Sequence, residues 1–421
     1  MSQLRSIKGT HDILPEHSNK WQDLEKIIHE TCKRSGYREI RTPIFEDTRV
    51  FSRGVGEDSD IVSKEMYSWE DRDGTSLTLR PELTASVVRS YIQHNLGILS
   101  PIQRMYYMGP LFRRERPQKG RQRQFNQFGI EAFGSENPEL DAEVISMAWN
   151  ILEGYDLGEI STLQLNSIGS TECRNNYKEA LKDFLRPNLN QLSDTSKNRF
   201  ETNPLRILDT KSENERRLLE KAPLISDYYT DEDRAHFDSL QQFLSVMNIS
   251  FIINPKLVRG LDYYSRTVFE FTSSALGSQD ALLGGGRYDR LVEMLGGKPT
   301  PAIGFAAGIE RFLIARESLG ETIRPLNNNA YFVCLGEAGI PDVLSLSNTL
   351  RKAKINVVSD PLRRSLKSQM REANKSGSRF AIILGTNEIE NKTLVIKDLK
   401  KGEQKIILQS DLTKFFKDLT S

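Results

Sequence analysis

The sequence predicts an α+β protein: an antiparallel sheet flanked by helices, interrupted by a helical insertion and followed by a small α/β domain. Three observations predict this. Two segments in the first third alternate like paired strands around a turn or loop, residues 171–249 change to charged, helix-favouring sequence, and residues 330–421 alternate short apolar runs with helix-periodic stretches. At 421 residues the chain exceeds the usual length of one domain, so two or three separate cores are expected.

Residues 19–35 place Trp21, Leu24, Ile27, Ile28 and Cys32 at helical spacing before Gly36, which reads as an amphipathic helix with its stop. Residues 37–51 read as a strand broken at Pro43. In 66–81, Asp73-Gly74 between alternating segments predicts a hairpin. A second hairpin is predicted from RMYYMGPLFRRE and RQFNQFGIEAFG, joined by the basic RPQKGRQR. After the helical stretch, strand-like sequence returns at FIINP, TVFEFTSSA and LLGGGRYDRL, and AIGFAAGIERFLIARESLG reads as a strand feeding a helix. The early sheet is thus expected to be completed after the insertion. Turn formers in 321–329 predict a linker. Beyond it, AYFVCLG, INVVSD, RFAIILG and KTLVIKDL read as strands separated by two helical segments.

Hydrophobic residues make up 38% and charged residues 27% of the chain, and mean hydropathy is −0.49, ordinary for a globular protein in water. No run approaches a membrane span, and the start lacks a signal-peptide apolar core, so a cytoplasmic location without membrane association is expected. Cys32, Cys173 and Cys334 form no CxxC pair and are expected as buried thiols. The five histidines form no HExxH cluster, so any metal is expected to arrive on a phosphate ligand rather than in a protein-built cage. Net charge is +1, yet residues 330–421 carry 16 Lys+Arg against 10 Asp+Glu. That asymmetry fits either a polyanion-binding module or a solvated lysine-rich surface.

Six basic residues and one acid fall between Arg113 and Arg123, on a loop bounded by strands, which suits a polyphosphate. Along the returning strand, Phe125, Gln127, Gly129, Glu131 and Phe133 share one face by the two-residue period. A buried core face has no use for Gln and Glu, whereas a site stacking a base and reading a small polar substrate does. The alternative is an exposed hairpin with a solvated tip.

The Phe112-Arg113-Arg114-Glu115 run resembles motif 2 of class II aminoacyl-tRNA synthetases. GYREIRTPIFED is similar to their motif 1, a dimer-interface segment, and GFAAGIERF to motif 3, with Arg311 in the arginine position. LVRGLDYYSRTVFEF and GGGRYDRL resemble the two signatures of histidyl-tRNA synthetases, and the likeness also takes in TLRPE and NSIGS. Two positions depart from the pattern: Leu83 and Arg290 stand where many relatives have Gly.

The resemblance implies a class II catalytic domain over residues 1–325, with a six- or seven-stranded antiparallel sheet and the insertion at 171–249, and an anticodon-binding domain over 330–421. It implies a homodimer that activates L-histidine with ATP and Mg²⁺, then transfers it to the 3′ end of tRNA(His). Arg259 and Arg113 are the implied catalytic residues. Arg113, Glu115, Arg121, Phe125 and Arg311 are implied for ATP. Glu82, Thr84, Gln127, Glu131, Tyr263, Tyr264, Gly285, Gly286 and Tyr288 are implied for histidine, with Glu131 and Tyr264 reading the imidazole. No protein metal ligand is implied. A paralogue of this catalytic domain serves as a non-catalytic regulatory subunit of ATP phosphoribosyltransferase. It typically lacks the tail domain and an intact set of arginines, while Arg113, Arg259 and Arg311 are all present here.

Overall fold

The computed structural model describes residues 3–56, 59, 61–118, 120–261, 263–277, 280–320 and 329–419. The chain divides into two compact units, Met1–Ile13 with Lys20–Glu321 and Leu14–Asn19 with Thr322–Ser421. The segment expected as a linker lies, but for Asn329, outside the described residues.

Among the described residues of the first unit, the strands are β1 (Arg38–Glu39), β2 (Phe45–Asp47), β3 (Tyr67–Glu70), β4 (Ser76–Leu79), β5 (Gln103–Phe112), β6 (Gln124–Phe133), β7 (Thr162–Ser167), β8 (Phe251–Ile253), β9 (Ser265–Thr272), β10 (Ala281–Arg287) and β11 (Ala302–Gly308). The main sheet runs β1-β5-β6-β11-β10-β9-β7-β8. Its six central strands are antiparallel throughout. The expected six or seven strands become eight because short edge strands β1 and β8 add in parallel to β5 and β7. Each edge strand is separated from its partner by a long crossover that lets the chain run in the same direction again. Strands β2, β4 and β3 form a small separate sheet. The β3–β4 turn has Gly74 at φ +84°, and Asp73 Oδ1 accepts from Thr75 N at 2.9 Å, the geometry anticipated for Asp-Gly.

The two-residue strand period sorts side chains onto two faces. On one face Phe128, Ile130, Phe269, Phe271, Ile303 and Phe305 meet Leu24 and Ile28 of helix Pro15–Arg34 and Ile145 and Ile151 of helix Pro138–Gly154 in one buried core. Full burial of each such side chain contributes about 2 kcal/mol. Helix Asp231–Val246, expected within the insertion, adds Phe237, Leu240 and Leu244 to this same core. It belongs to the sheet's own helical layer, entered through a capping box of Thr230 and Asp233. Helices Thr171–Leu185, Asp194–Thr202 and Glu213–Leu219 pack instead into a second core with Leu257, Tyr263 and Tyr264. Residues 48–51, expected as strand, open helix Thr48–Val55, because the Asp47 carboxylate accepts from Arg49 N at 2.8 Å and caps that helix.

In the second unit, β12 (Ala330–Cys334), β13 (Val357–Ser359), β14 (Phe380–Leu384), β15 (Thr393–Asp398) and β16 (Gln404–Leu408) form a sheet in the order β13-β12-β14-β15-β16. β12 is parallel to both neighbours, and β15 and β16 are antiparallel. Helices Ile340–Lys352 and Leu366–Lys375 occupy the anticipated segments, whereas β16 and helix Leu412–Asp418 go beyond the sequence reading. Cys32 and Cys173 are buried thiols as expected, and burial pushes each up to about 12. Cys334, the last residue of β12, is only partly buried, with Sγ 3.3 Å from the Gly336 carbonyl. Among the described residues, no helix is long and apolar enough to cross a membrane.

Candidate active site

The face of the main sheet opposite the helical core has a floor of small residues. Register pairs Glu131 with Gly304, Gly129 with Ala306 and Gln127 with Gly308, and it pairs Gly286 with Gly304 and Gly284 with Ala306. Space above that floor is where the polar side chains of β6 project.

At one end stands Glu131, with no solvent exposure. Its Oε1 accepts from the Thr84 hydroxyl at 2.8 Å and the Tyr107 hydroxyl at 3.0 Å, and its Oε2 accepts from the Tyr288 hydroxyl. Burial pushes its carboxyl up to about 8, against the pull of those donors. A Cβ at Gly304 would collide with this carboxylate, so only glycine fits on the facing strand. Tyr288 packs edge-on to Tyr263 at 5.5 Å, and Tyr263 lies 4.7 Å from Tyr264. Burial raises all three phenols above their ordinary value, so they remain donors. Glu82 is buried beside them, its oxygens accepting from Thr84 N and Ala85 N at 2.8 Å each at the start of helix Thr84–Gln93. Burial raises its pKa, opposed by those two bonds and by Arg113.

At the other end, Arg113, Glu115, Arg121, Phe125, Gln127, Arg259, Gly284 and Arg311 line a cavity of about 180 Å³. Arg113 Nε donates to the Pro81 carbonyl at 2.9 Å, and its guanidinium lies 5.2 Å from the centre of the Phe125 ring. Glu115 pairs with Arg121 at 3.1 Å and with Arg113 at 3.6 Å. Arg259 pairs with Glu270 on β9, and a Cβ at Gly284 would collide with its guanidinium. Arg311 donates to the Ala281 carbonyl at 2.7 Å; burial, then the nearby Arg121 charge, lowers its pKa. Four guanidinium groups around one cavity suit an anion carrying several charges.

The structure therefore brings together every ATP residue the resemblance implies, with Gln127 and Arg259, and gathers Glu82, Thr84, Glu131, Tyr263, Tyr264 and Tyr288 beside them. Gly286 lies against Tyr264, 2.9 Å from Cδ1 for an added Cβ. Gly285 points to the other face, where a Cβ would meet Phe305 Cβ at 2.6 Å and Phe269 Cζ at 2.8 Å. Of the three glycines, Gly284 and not Gly285 lines the cavity. Glycines carry no side chain to mark a face, and it is the register of β10 against β11 and β9 that assigns them. Sequence reasoning also passed over Tyr107, which reaches Glu131 from β5, and Glu270 on β9, which pairs with Arg259 eleven residues earlier. It passed over Glu310 too, whose carboxylate accepts from Asn126 N at 2.8 Å and braces the start of β6. The two departures sit in ordinary backbone: Leu83 has φ −108° with its side chain buried, and Arg290 has φ −103°, so neither place requires glycine.

The family model described as histidyl-tRNA synthetase matches residues 9–312, and the one described as anticodon binding domain matches 323–419. A curated histidine–tRNA ligase of Caldanaerobacter subterraneus subsp. tengcongensis is 44% identical over 415 residues, 98% of this chain and 99% of that protein. The crystal structure of apo S. aureus histidyl-tRNA synthetase matches at TM-score 0.84 and 37% identity, covering 99% of this chain and 100% of that one. A structure from Bacillus halodurans titled as an ATP phosphoribosyltransferase regulatory subunit/histidyl-tRNA synthetase matches at TM-score 0.66 with 20% identity over 91% of this chain and 99% of that one, a likeness of fold alone. With a catalytic-domain match from residue 9 to 312 and a curated relative aligned almost end to end, this chain belongs to the histidyl-tRNA synthetase family.

Proposed function

We propose that the chain is a histidine–tRNA ligase that forms histidyl-adenylate from L-histidine and ATP, then esterifies the 3′ end of tRNA(His). The observation carrying this reading is the single strand β6, which sets Glu131, held by three hydroxyl donors, a few residues from the arginine-lined cavity. A ring nitrogen donor bonds to Glu131 and the second ring nitrogen to Tyr264, while Glu82, Thr84 and Gln127 hold the ammonium group. The substrate carboxylate then lies toward Arg259 and Arg113, where negative charge builds on the α-phosphate as pyrophosphate leaves. Fixed guanidinium groups stabilise that charge more than they stabilise the ground state. Glu115 and Phe125 hold adenine, and Arg121 and Arg311 hold the distal phosphates.

Mg²⁺ enters as part of the ATP substrate, bound by phosphate oxygens and water. The carboxylates lining this cavity fit that role for the phosphates, since Glu115 is paired with arginines and Glu310 with Asn126. The basic second unit takes the anticodon, the insertion lies at the acceptor end, and the working form is a cytoplasmic homodimer. Deleting residues 330–421 tests the division of labour: charging of tRNA(His) should fall far more than adenylate formation, and equal loss of both would contradict the anticodon role. Light scattering of the intact chain at micromolar concentration should give the mass of two copies.

A further inference from the structure

Residues 259–261 and 263–264 carry Arg259 and the two tyrosines, so the phosphate cavity and the histidine pocket both depend on where their backbone lies. Arginines of the insertion hold it near both ends. Arg206, on the 3₁₀ turn Pro204–Ile207, donates from Nη2 to the Gly260 carbonyl at 2.7 Å. Arg174, on the first turn of helix Thr171–Leu185, donates from Nη1 to the Tyr264 carbonyl. Both arginines line one cavity of about 160 Å³ together with Val258, Arg259, Leu261 and Tyr264.

The arginines are themselves well seated. The Arg206 carbonyl accepts from Arg199 Nη1 at 3.0 Å, which ties the turn to helix Asp194–Thr202. The helix bearing Arg174 is capped by Ser170, whose hydroxyl donates to Asp233 Oδ2 at 2.9 Å. Leu181, Phe200, Leu205 and Ile207 of the insertion pack in the same core as Leu257, Tyr263 and Tyr264. The insertion therefore does more than stand beside the catalytic sheet, because its position sets the backbone from which Arg259 reaches Glu270 and the site. Charge-assisted bonds to backbone carbonyls are well suited to this, being fixed in direction and independent of pH.

We propose that Arg206 and Arg174 are positioning residues for histidine activation, Arg206 acting through Arg259 and Arg174 through Tyr263 and Tyr264. The inference rests on the reading of Arg259 as catalytic. A displacement of about 1 Å at a catalytic group costs up to about a hundredfold in rate, so loss of such a hold has a measurable effect.

The test is histidine-dependent ATP–pyrophosphate exchange by the full-length protein and the variants Arg206→Ala, Arg206→Lys, Arg174→Ala, Arg259→Ala and Arg206→Ala/Arg259→Ala. Arg206→Ala is expected to lower kcat by about tenfold or more with the KM for histidine nearly unchanged, while Arg174→Ala chiefly raises that KM. Arg206→Lys, which retains a cation and a donor, recovers part of the lost kcat and serves if the alanine variant melts early. In the Arg259→Ala background, Arg206→Ala should cost less than about twofold further, because a residue acting through another loses its effect once that other is gone. Full kcat in Arg206→Ala, or an equal loss in both backgrounds, overturns the proposal. Wild-type turnover by Arg259→Ala alone would instead overturn the catalytic reading beneath it, so the two failures are told apart by separate variants.

Discussion

The Tyr288 hydroxyl donates to Glu131 Oε2 while Thr84 and Tyr107 occupy Oε1, so a carboxylate with no solvent contact is held by donors from a loop, a helix start and a neighbouring strand. Such a group rejects ligands that leave it unpaired. Glu131→Gln fixes a neutral amide that cannot ionise to the carboxylate a ring N–H pairs with best. The KM for histidine should rise by about a hundredfold, with the KM for ATP changing by less than about twofold. Steady-state exchange at varied histidine measures this, and an unchanged histidine KM would contradict the assignment.

Glu131 also predicts a pH dependence of stability. Its folded pKa, about 8, lies above the ordinary carboxyl value, so the folded state holds a proton that the unfolded state has released. The stabilising contribution is complete below the unfolded pKa, near 4.5, and is lost as pH rises toward about 8. Thermal melting of the ligand-free protein should therefore decline over that window, and Glu131→Gln should flatten the decline. A parallel decline in the variant would assign it to other groups.

Two adjacent glycines should fail in different ways. Gly284→Ala puts a methyl group into the Arg259 guanidinium, so it should lower kcat for adenylate formation by about tenfold or more with little change in melting temperature. Gly285→Ala drives a methyl group between Phe269 and Phe305, so it should destabilise the fold by about 1–3 kcal/mol. Single-turnover adenylate formation and denaturant unfolding separate the two, and an exchange of phenotypes would show that the faces of β10 are assigned wrongly.

Arg287, the next residue on β10, is fully buried and pairs with Asp141 and with Asp289 at 3.0 Å. Arg287→Ala leaves Asp141 buried without its main partner and should cost about 3–5 kcal/mol of stability. Urea unfolding of the purified variant measures the loss. A change below about 1 kcal/mol would mean that the pair contributes little to the folded state.

Much of this arrangement is legible in the sequence where local signals agree. Asp73-Gly74 marks its own turn, and the alternation from Phe125 to Phe133 marks a strand with one polar face. Other features depend on tertiary partners that no local pattern reveals. Thr48–Val55 is helical because Asp47 caps it, although residues 48–51 read as strand. Helix Asp231–Val246 has the composition of the insertion, yet Phe237 and Leu240 pack under the sheet. Glu270 reads as an ordinary strand residue until Arg259 arrives beside it. The faces of Gly284, Gly285 and Gly286 carry no side chain to betray them, and register alone assigns them.

In the proposed function, histidine is activated at a site in which Arg259 stabilises the developing phosphate charge. Its most direct test is exchange of pyrophosphate into ATP by the purified full-length protein, with histidine and with each other standard amino acid, run beside Arg259→Ala. Exchange is expected with histidine alone, reduced by about a hundredfold or more in the variant, as for loss of a main electrostatic stabiliser. Exchange with a different amino acid, or no exchange by the folded protein, would contradict it.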